Sequence, residues 1–327
     1  MSDDNTLKKS RLRVANALLN SDIDGKVYKV ALLLMSNQCN SNCVHCYQWG
    51  TPAATWSLSE AKNVVQILRR EGYFLIPEIN EMLPETLHLL EIYKDCGATE
   101  ISTNGETLLE YPHYFNVLRE NRINEIRITV LAPSLHENWT KRKRTRATEA
   151  LELAKKNDFR TILNFVVSRS SMYYLEEICQ EAVTLGVDEI NFLNLIFGGR
   201  ALKIPQELLR QDDIIHFYDF YDKARKKYPL IFDRVGNFGP NPREDSVSHK
   251  LAKNGRYCLM GNWQYGSLIF VDPYFDVFPC MLVRGKQHQI GKLTTDKLEF
   301  FDYPVDLAEH DHCQCFHLKN AQKNLEK

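Results

Sequence analysis

The chain has 327 residues, of which 44% are hydrophobic and 25% are charged, and its formal net charge at pH 7 is −1. This length and composition predict one large domain or two smaller ones with a hydrophobic core, and the near-neutral charge does not indicate nucleic-acid binding. No uncharged apolar run reaches the roughly 18 residues of a transmembrane helix, so we expect no membrane insertion.

Short apolar and β-branched runs alternate with helical patterns along most of the chain. After an N-terminal helical extension at 1–24, the predicted strands are 27–34, 73–77, 100–103, 125–131, 161–167 and 189–196. The predicted helices are 57–71, 84–96, 114–121, 145–157, 175–185 and 206–228. Six successive βα units predict a parallel sheet with right-handed crossovers and are too few for a closed eight-stranded barrel.

Three cysteines directly follow the first predicted strand. Cys39, Cys43 and Cys46 have the spacing CxxxCxxC, and this spacing favours an iron–sulfur cube in which one iron has no protein ligand. The alternatives are a zinc site, a disulfide with one spare thiol, or a chance spacing. The first residues contain no signal-peptide-like apolar stretch. We therefore expect a cytoplasmic protein, whose nine cysteines stay reduced and serve metals rather than disulfides.

The cysteine motif, with His45 before its third thiol and Tyr47 after it, resembles that of the radical S-adenosylmethionine (radical SAM) family. The resemblance implies that the three thiolates hold a [4Fe-4S] cluster and that SAM binds the remaining iron. In the family, one electron from the cluster cleaves SAM to a 5′-deoxyadenosyl radical, which abstracts hydrogen from the substrate. The resemblance also implies an α/β fold, a partial (β/α)6 TIM-like barrel over residues 25–235.

The resemblance assigns SAM-binding roles to strand-end residues. Ile76-Pro77-Glu78-Ile79 stands where the family usually carries Gly-Gly-Glu-Pro, so Glu78 would meet the SAM amino group although both glycines are missing. The other implied contacts are His45, Tyr47, Thr103, Asn104, Thr129, Asn164 at the ribose and Leu195 at the adenine. Ordinary roles compete with several of these: a solvent-facing acid for Glu78, a turn residue for Asn104, and strand or core positions for Thr129 and Leu195.

Four further cysteines lie late in the chain. Gly198-Gly-Arg-Ala201 resembles a turn of radical SAM proteins with C-terminal auxiliary-cluster domains. By that resemblance, residues 236–327 form a small α+β SPASM or twitch domain, with a hairpin at 267–280 and a short helix at 291–301. The domain would bind an auxiliary [4Fe-4S] cluster, or alternatively zinc. Its ligands would be Cys258, Cys280, Cys313 and Cys315, with His310, His312 and His317 as alternatives.

A basic run, Lys141-Arg-Lys-Arg-Thr-Arg146, precedes the helix predicted at 145–157. It suits either an acidic peptide or RNA, or an ordinary solvated face, and we assign no nucleic-acid binding from it. Cys96 and Cys179 have apolar neighbours and are expected to be small buried residues rather than ligands.

The resemblance leaves the substrate open. Modification of a ribosomally made peptide is the first expectation, with an electron donor such as flavodoxin or ferredoxin and a separate peptide-binding protein as implied partners. A radical SAM dehydrogenase or epimerase acting on a small molecule is the alternative. A non-catalytic scaffold that binds an iron–sulfur cluster or zinc is the third candidate.

Overall fold

The structure is a computed structural model that describes residues 29–48, 51–196, 198–235, 268–279, 281 and 289–301. Several sequence predictions therefore lie outside the described residues. They are the N-terminal extension at 1–24, the four late cysteines (Cys258, Cys280, Cys313 and Cys315), and the three histidines His310, His312 and His317.

Parallel strands and intervening helices make up most of the described chain. The strands are β1 (Lys29–Ser36), β2 (Tyr73–Ile79), β3 (Glu100–Thr103), β4 (Glu125–Thr129), β5 (Arg160–Val167), β6 (Glu189–Asn194), β7 (Ile231–Val235), β8 (Leu268–Val271), β9 (Asp276–Phe278), β10 (Gly291–Leu293) and β11 (Leu298–Phe300). All six strands predicted before residue 200 are present, with ends that differ by a few residues.

The helices are α1 (Leu58–Arg70), α2 (Leu90–Cys96), α3 (Glu106–Glu110), α4 (Tyr114–Glu120), α5 (Pro133–Thr140), α6 (Arg144–Lys156), α7 (Leu175–Thr184) and α8 (Gln211–Lys227). Short 3-10 turns lie at Pro84–Leu89, Ser171–Tyr174, Gly199–Lys203 and Pro205–Glu207. Helix α1 begins at a capping box, in which the Glu60 amide donates to the Ser57 hydroxyl and the Ser57 amide donates to the Glu60 carboxylate.

The described strands form two sheets. One has the order β11-β10-β9-β8-β1-β2, and the other has the order β3-β4-β5-β6-β7. Strands β1 and β2 pair in parallel, as do all neighbours from β3 to β7. The prediction of an α/β fold with a partial (β/α)6 TIM-like barrel is confirmed, and the barrel is not closed.

The chain after residue 267 differs from prediction. The hairpin of β8 and β9 is present, and β8 pairs in parallel with β1, so it extends the first sheet. The predicted helix at 291–301 is wrong, because this segment is the antiparallel pair β10 and β11. Its turn is stabilised locally, since the Thr294 amide donates to the Lys297 carbonyl at 2.9 Å and the Thr294 hydroxyl donates to Asp296 at 2.9 Å. Strand β7 was not predicted.

The outer faces of the strands pack against the helices. Leu33 and Met35 of β1 share the main hydrophobic core with Val64 of α1, and Ile128 of β4 shares it with Ala150 of α6. Since side chains alternate along a strand, the residues between these positions face the barrel interior.

The two sheets present different inner faces. On β1, β2 and β8, the inner residues Val30, Leu32, Phe74, Ile76 and Leu268 pack together, and we call this set the apolar wall. We call the polar inner residues of β3 to β6 the polar wall. They are Glu100, Glu125, Arg127, Arg160, Asn164, Glu189 and Asn191.

No helix among these described segments has the length and hydrophobicity needed to cross a membrane.

Candidate functional site

The three motif cysteines lie in the loop that follows β1. All three thiols are free of disulfides. The loop backbone is tied to the end of α5, where the Val44 amide donates to the Trp139 carbonyl at 2.7 Å. A local bond from the Cys46 amide to the Cys43 carbonyl, at 3.2 Å, tightens the turn between the last two cysteines. The loop therefore has a defined backbone at the C-terminal end of its strand.

The turn after β6 holds the same loop from a second side. The Arg200 amide donates to the Cys46 carbonyl at 2.9 Å, and its Nε donates to the Cys43 carbonyl at 2.8 Å. Gly199 has a φ of +54°, and a Cβ at this position would lie 2.3 Å from the Gln48 carbonyl oxygen. Glycine is required here because the turn must approach the loop backbone closely. The Gly198-Gly-Arg-Ala201 turn thus holds the backbone of the cysteine loop in place.

Burial and nearby charge disfavour bare thiolates in this loop. Cys39 is exposed as a residue, but the surrounding protein shields its sulfur, and this burial together with the Glu81 carboxylate raises its pKa to about 12. Burial also raises the pKa of Cys43, while Arg200 and Arg142 oppose that rise. A bound metal cluster would supply the positive charge that deprotonates such thiols. The donor set therefore fits a cationic cluster.

His45 lies within the cysteine loop and has a neutral ring. Its ring stacks on Trp139 with centroids 5.8 Å apart, and its Nδ1 is buried without a hydrogen-bond partner. Burial, followed by the charges of His136 and Arg200, lowers the pKa of His45 to about 4. Tyr47 lies beside the Gly198-Gly199 turn. Both aromatic residues are therefore at the site, although their predicted contact with SAM stays a prediction.

Glu78 lies inside β2 rather than after it. Its side chain is on the inner face, and burial, followed by the charge of Glu100, raises its pKa to about 7, while Arg127 opposes the rise. The predicted strand ended at Pro77, whereas β2 continues to Ile79. Proline is tolerated here since β2 is the outermost strand of its sheet. The SAM contact of Glu78 stays a prediction.

Glu81, the acidic residue that follows β2, was not among the predicted site residues. Its residue is 2% exposed, and its carboxylate accepts hydrogen bonds from the Met82 amide at 2.9 Å and the Asn104 amide at 2.8 Å. The Thr103 hydroxyl donates to the same carboxylate. Burial raises the pKa of Glu81 to about 7, although these hydrogen bonds oppose it. An acid two residues beyond the true strand end was the signal that could have identified it.

Thr103 and Asn104 join this carboxylate to the cysteine loop. The Asn104 side-chain amide donates to the Asn40 side chain at 2.8 Å, and its oxygen accepts from the Glu106 amide at 3.0 Å. The next residue, Gly105, has a φ of +86°, as the predicted Thr-Asn-Gly turn requires. The two residues are thus brought to the site, with Asn104 contacting the loop itself.

Thr129 and Asn164 are neighbours on the inner face of the second sheet. They are paired in register across β4 and β5. Asn164 is 7% exposed and accepts a hydrogen bond from the Asn191 side chain at 3.2 Å. An ordered polar row therefore crosses the polar wall near its C-terminal edge, where a ribose contact was predicted.

Leu195 comes directly after β6 and is 1% exposed. It packs with Leu131, Trp139, Val166 and Ala201 in a small hydrophobic cluster. Since Trp139 also stacks on His45, this cluster supports the cysteine loop. The structure thus places Leu195 in a packed core next to the site, and its predicted adenine contact stays a prediction.

The two isolated cysteines lie in helices. Cys179 is buried in α7, and burial raises its pKa to about 12. Cys96 ends α2, and burial raises its pKa to about 11. Both sites resemble ordinary packed thiols.

Comparisons with known proteins agree on the fold. No family model matches the sequence. The uncharacterized protein MJ0907 of Methanocaldococcus jannaschii is 21% identical over 280 residues, which are 80% of this chain and 87% of that protein.

Two solved enzymes superpose well on this chain. The structure of Streptococcus suis SuiB bound to the precursor peptide SuiA has a TM-score of 0.62 at 13% identity, covering 98% of this chain and 72% of SuiB. The structure of anSMEcpe bound to AdoMet and the Kp18Cys peptide has a TM-score of 0.58 at 14% identity, covering 89% and 82%. Both are radical SAM enzymes. The resemblance is thereby confirmed at the level of the fold, and the chain has the fold of the radical SAM superfamily.

Proposed function

We propose that this chain is a radical SAM enzyme in which Cys39, Cys43 and Cys46 hold a [4Fe-4S] cluster. The observation that carries the proposal is the loop itself. Three free thiols lie on a backbone held by Trp139 and Arg200 at the C-terminal end of β1. Functional groups of parallel barrels gather at that end of the strands. When bound, the cluster and SAM would supply a 5′-deoxyadenosyl radical for hydrogen abstraction.

The residues around the loop would bind and orient SAM. We infer that Glu81, rather than Glu78, takes the place of the family glutamate, because Glu81 follows β2 and is linked to Thr103 and Asn104. A carboxylate at this position can hold an ammonium group by charge-assisted hydrogen bonds. Asn164 lies across the same end of the barrel, where it can donate or accept at a ribose.

We further propose a peptide as the substrate. SuiB was solved bound to its precursor peptide and anSMEcpe to a peptide, and both share this fold. The auxiliary cluster on Cys258, Cys280, Cys313 and Cys315 remains part of this proposal, as do a flavodoxin or ferredoxin donor and a separate peptide-binding protein. The small-molecule alternative predicts no modified peptide.

Anaerobic reconstitution followed by reduction with dithionite tests the radical SAM reaction. Wild-type protein with SAM is expected to release 5′-deoxyadenosine and to contain about four irons per chain from the motif cysteines, or about eight with the auxiliary cluster. Cys46→Ala should abolish the product, whereas Cys179→Ala, which removes a packed thiol of α7, should retain it. Equal product from wild type and Cys46→Ala would reject the proposed reaction.

A matched pair of carboxylate variants tests the SAM contact. Glu81→Gln is expected to weaken SAM binding by about tenfold, since a charge-assisted hydrogen bond contributes roughly 1.5 kcal/mol. Glu78→Gln should leave the dissociation constant within about twofold of wild type, because Glu78 lies within β2 and the proposed contact is made by Glu81 after the strand end. Calorimetry with SAM on the reconstituted protein measures the dissociation constant of each variant. If Glu78→Gln weakened SAM binding more than Glu81→Gln, the contact would be assigned to Glu78.

Co-expression with each short open reading frame beside the gene tests the substrate class. Mass spectrometry of the peptides should show a change that depends on Cys46, such as the loss of two hydrogens in a crosslink or dehydrogenation. An unchanged set of peptides, together with 5′-deoxyadenosine formation, would favour the small-molecule alternative.

A further inference from the structure

The basic run between α5 and α6 turns its arginines toward the protein. Arg142 and Arg146 both pair with Glu106, whose side chain is only 10% exposed. Arg144 pairs with Glu181 and donates to the Leu131 carbonyl at 2.8 Å. A solvated face would leave such side chains free, so the three arginines have an internal role, whereas Lys141 and Lys143 are exposed.

Arg142 is the member of the run that contacts the cysteine loop. Its Nε donates to the Ser41 hydroxyl at 2.5 Å, and its Nη2 donates to the Asn40 carbonyl at 2.7 Å. Its Nη1 lies 3.2 Å from the Glu106 carboxylate. One planar guanidinium therefore joins α3 to the segment between Cys39 and Cys43.

The geometry points to Arg142 as a positioning residue for the cluster, which fixes the loop between Cys39 and Cys43 and places a permanent positive charge beside it. This inference rests on the proposed function, because it assumes a cluster on the motif cysteines. Arginine suits this role because its planar guanidinium presents several N–H donors in a rigid fork. The guanidinium also keeps its positive charge at every physiological pH.

The anchoring of the Arg142 guanidinium supports this choice. Glu106 anchors the guanidinium from the side opposite the loop, and Arg146 shares that carboxylate through its Nε at 2.6 Å. The Arg142 side chain therefore cannot turn into solvent without breaking its ion pair with Glu106 and its hydrogen bonds to the loop.

A fixed cation near a cluster affects its redox state. Reduction adds one negative charge, and a nearby positive charge stabilises the reduced form more than the oxidised form. The loop contacts should also slow the loss of iron, because outer-shell partners orient metal ligands and their removal costs about 10- to 100-fold in metal affinity.

The test compares Arg142→Gln and Arg142→Lys with two controls from the same run. Lys143→Gln removes a charge from an exposed residue, and Arg144→Gln removes an arginine that pairs with Glu181 instead of the loop. Reconstituted proteins are titrated by EPR-monitored reduction, and iron release to a chelator is timed. Thermal unfolding of each protein without iron shows whether the fold is retained.

Arg142→Gln is expected to lower the midpoint potential of the cluster and to release iron about tenfold faster than either control. Arg142→Lys should recover the potential, because the charge remains, but not the release rate, because the fork is lost. Equal potentials and release rates in Arg142→Gln and Lys143→Gln would overturn the inference while leaving the proposed function intact. A wild-type protein that assembles no cluster would overturn both.

Discussion

The apolar wall and the polar wall face each other across one barrel but stabilise it by different means. The apolar wall is a continuous hydrophobic surface on β1, β2 and β8. In the polar wall, Arg160 bridges the buried carboxylates of Glu125 and Glu189, and Arg127 pairs with Glu100. The hydrophobic effect is non-directional, so an apolar surface can pack against many different side chains. A buried charge, in contrast, is strongly destabilising when its ion-pair partner is removed. The second sheet therefore depends on specific residues more than the first.

The two walls meet at the site. The cysteine loop leaves the strand of the apolar wall, while Arg200, Asn164 and the Thr103-Asn104 turn come from the second sheet. The carboxylate of Glu81 links the two sheets through Asn104. We therefore expect substitutions at residues that join the two walls to affect cofactor binding. Substitutions within one wall should affect the free energy of unfolding.

The largest expected loss comes from Arg160→Met, which removes the guanidinium that bridges the buried carboxylates of Glu125 and Glu189. These carboxylates are 1% and 0% exposed at their side chains, so we expect a loss of about 3–5 kcal/mol in the free energy of unfolding. Urea denaturation measures it. Lys62→Met, which breaks an exposed pair with Glu91, should show no measurable change. If Arg160→Met changed the free energy of unfolding as little as Lys62→Met, the stability of the polar wall would not depend on its ion pairs.

Truncation beside the apolar wall gives the second largest effect. Phe270 of β8 is 2% exposed and packs with Leu34 and Phe278, so Phe270→Ala should cost about 3 kcal/mol. Because no charge is involved, the loss should be the same at pH 5 and at pH 8 in urea denaturation. A pH-dependent loss would contradict the distinction between the walls.

Gly199→Ala tests the junction of the walls. The added Cβ would meet the Gln48 carbonyl in a backbone with positive φ, so we expect a cost of about 2 kcal/mol and a lower iron content after reconstitution. Gly186→Ala is the matched control, since its φ is +65° but nothing lies within 4 Å of the new Cβ. It should cost about 1 kcal/mol and retain full iron content. Equal iron content in both variants would exclude a role of the close approach.

The smallest effect is a pH dependence in Glu78→Gln. The pKa of Glu78 is raised from 4.5 to about 7, so the folded state binds the proton more tightly than the unfolded state. Its contribution to stability is therefore lost as pH rises from about 4.5 to about 7. Glutamine cannot ionise, and we expect the variant to gain about 1–2 kcal/mol over wild type at pH 8 but nothing at pH 4. Urea denaturation at both pH values checks this, and an equal difference at both would contradict it.

Much of the fold followed from local pattern. The six early strands were predicted from runs of apolar and β-branched residues, and α1 from the helical pattern at 57–71. The segment at 291–301 was predicted wrongly, because three-residue strands carry too little periodicity to be told from a helical turn. Glu81 was missed because the predicted strand ended at Pro77, two residues before the true end of β2 at Ile79.

Phe275 shows how packing stabilises an unusual backbone conformation. Its backbone has a φ of +66°, in the left-handed region that favours glycine. Its ring stacks on Trp56 with centroids 5.3 Å apart, and the Trp56 indole donates to the Pro273 carbonyl at 3.0 Å. Side-chain packing therefore offsets a backbone strain of about 1–2 kcal/mol. Nothing in the local sequence indicates that compensation.

The amino-acid sequence by itself determined the order of strands and helices and the cysteine spacing, because both depend on residues close together in the chain. Tertiary structure decided which distant groups meet: Arg142 with the cysteine loop, Glu81 with Asn104, and Arg160 with its two carboxylates. These contacts depend on strand register and on the packing of loops from both sheets. The CxxxCxxC motif therefore identified a three-thiol site, and only the fold showed how its loop is held.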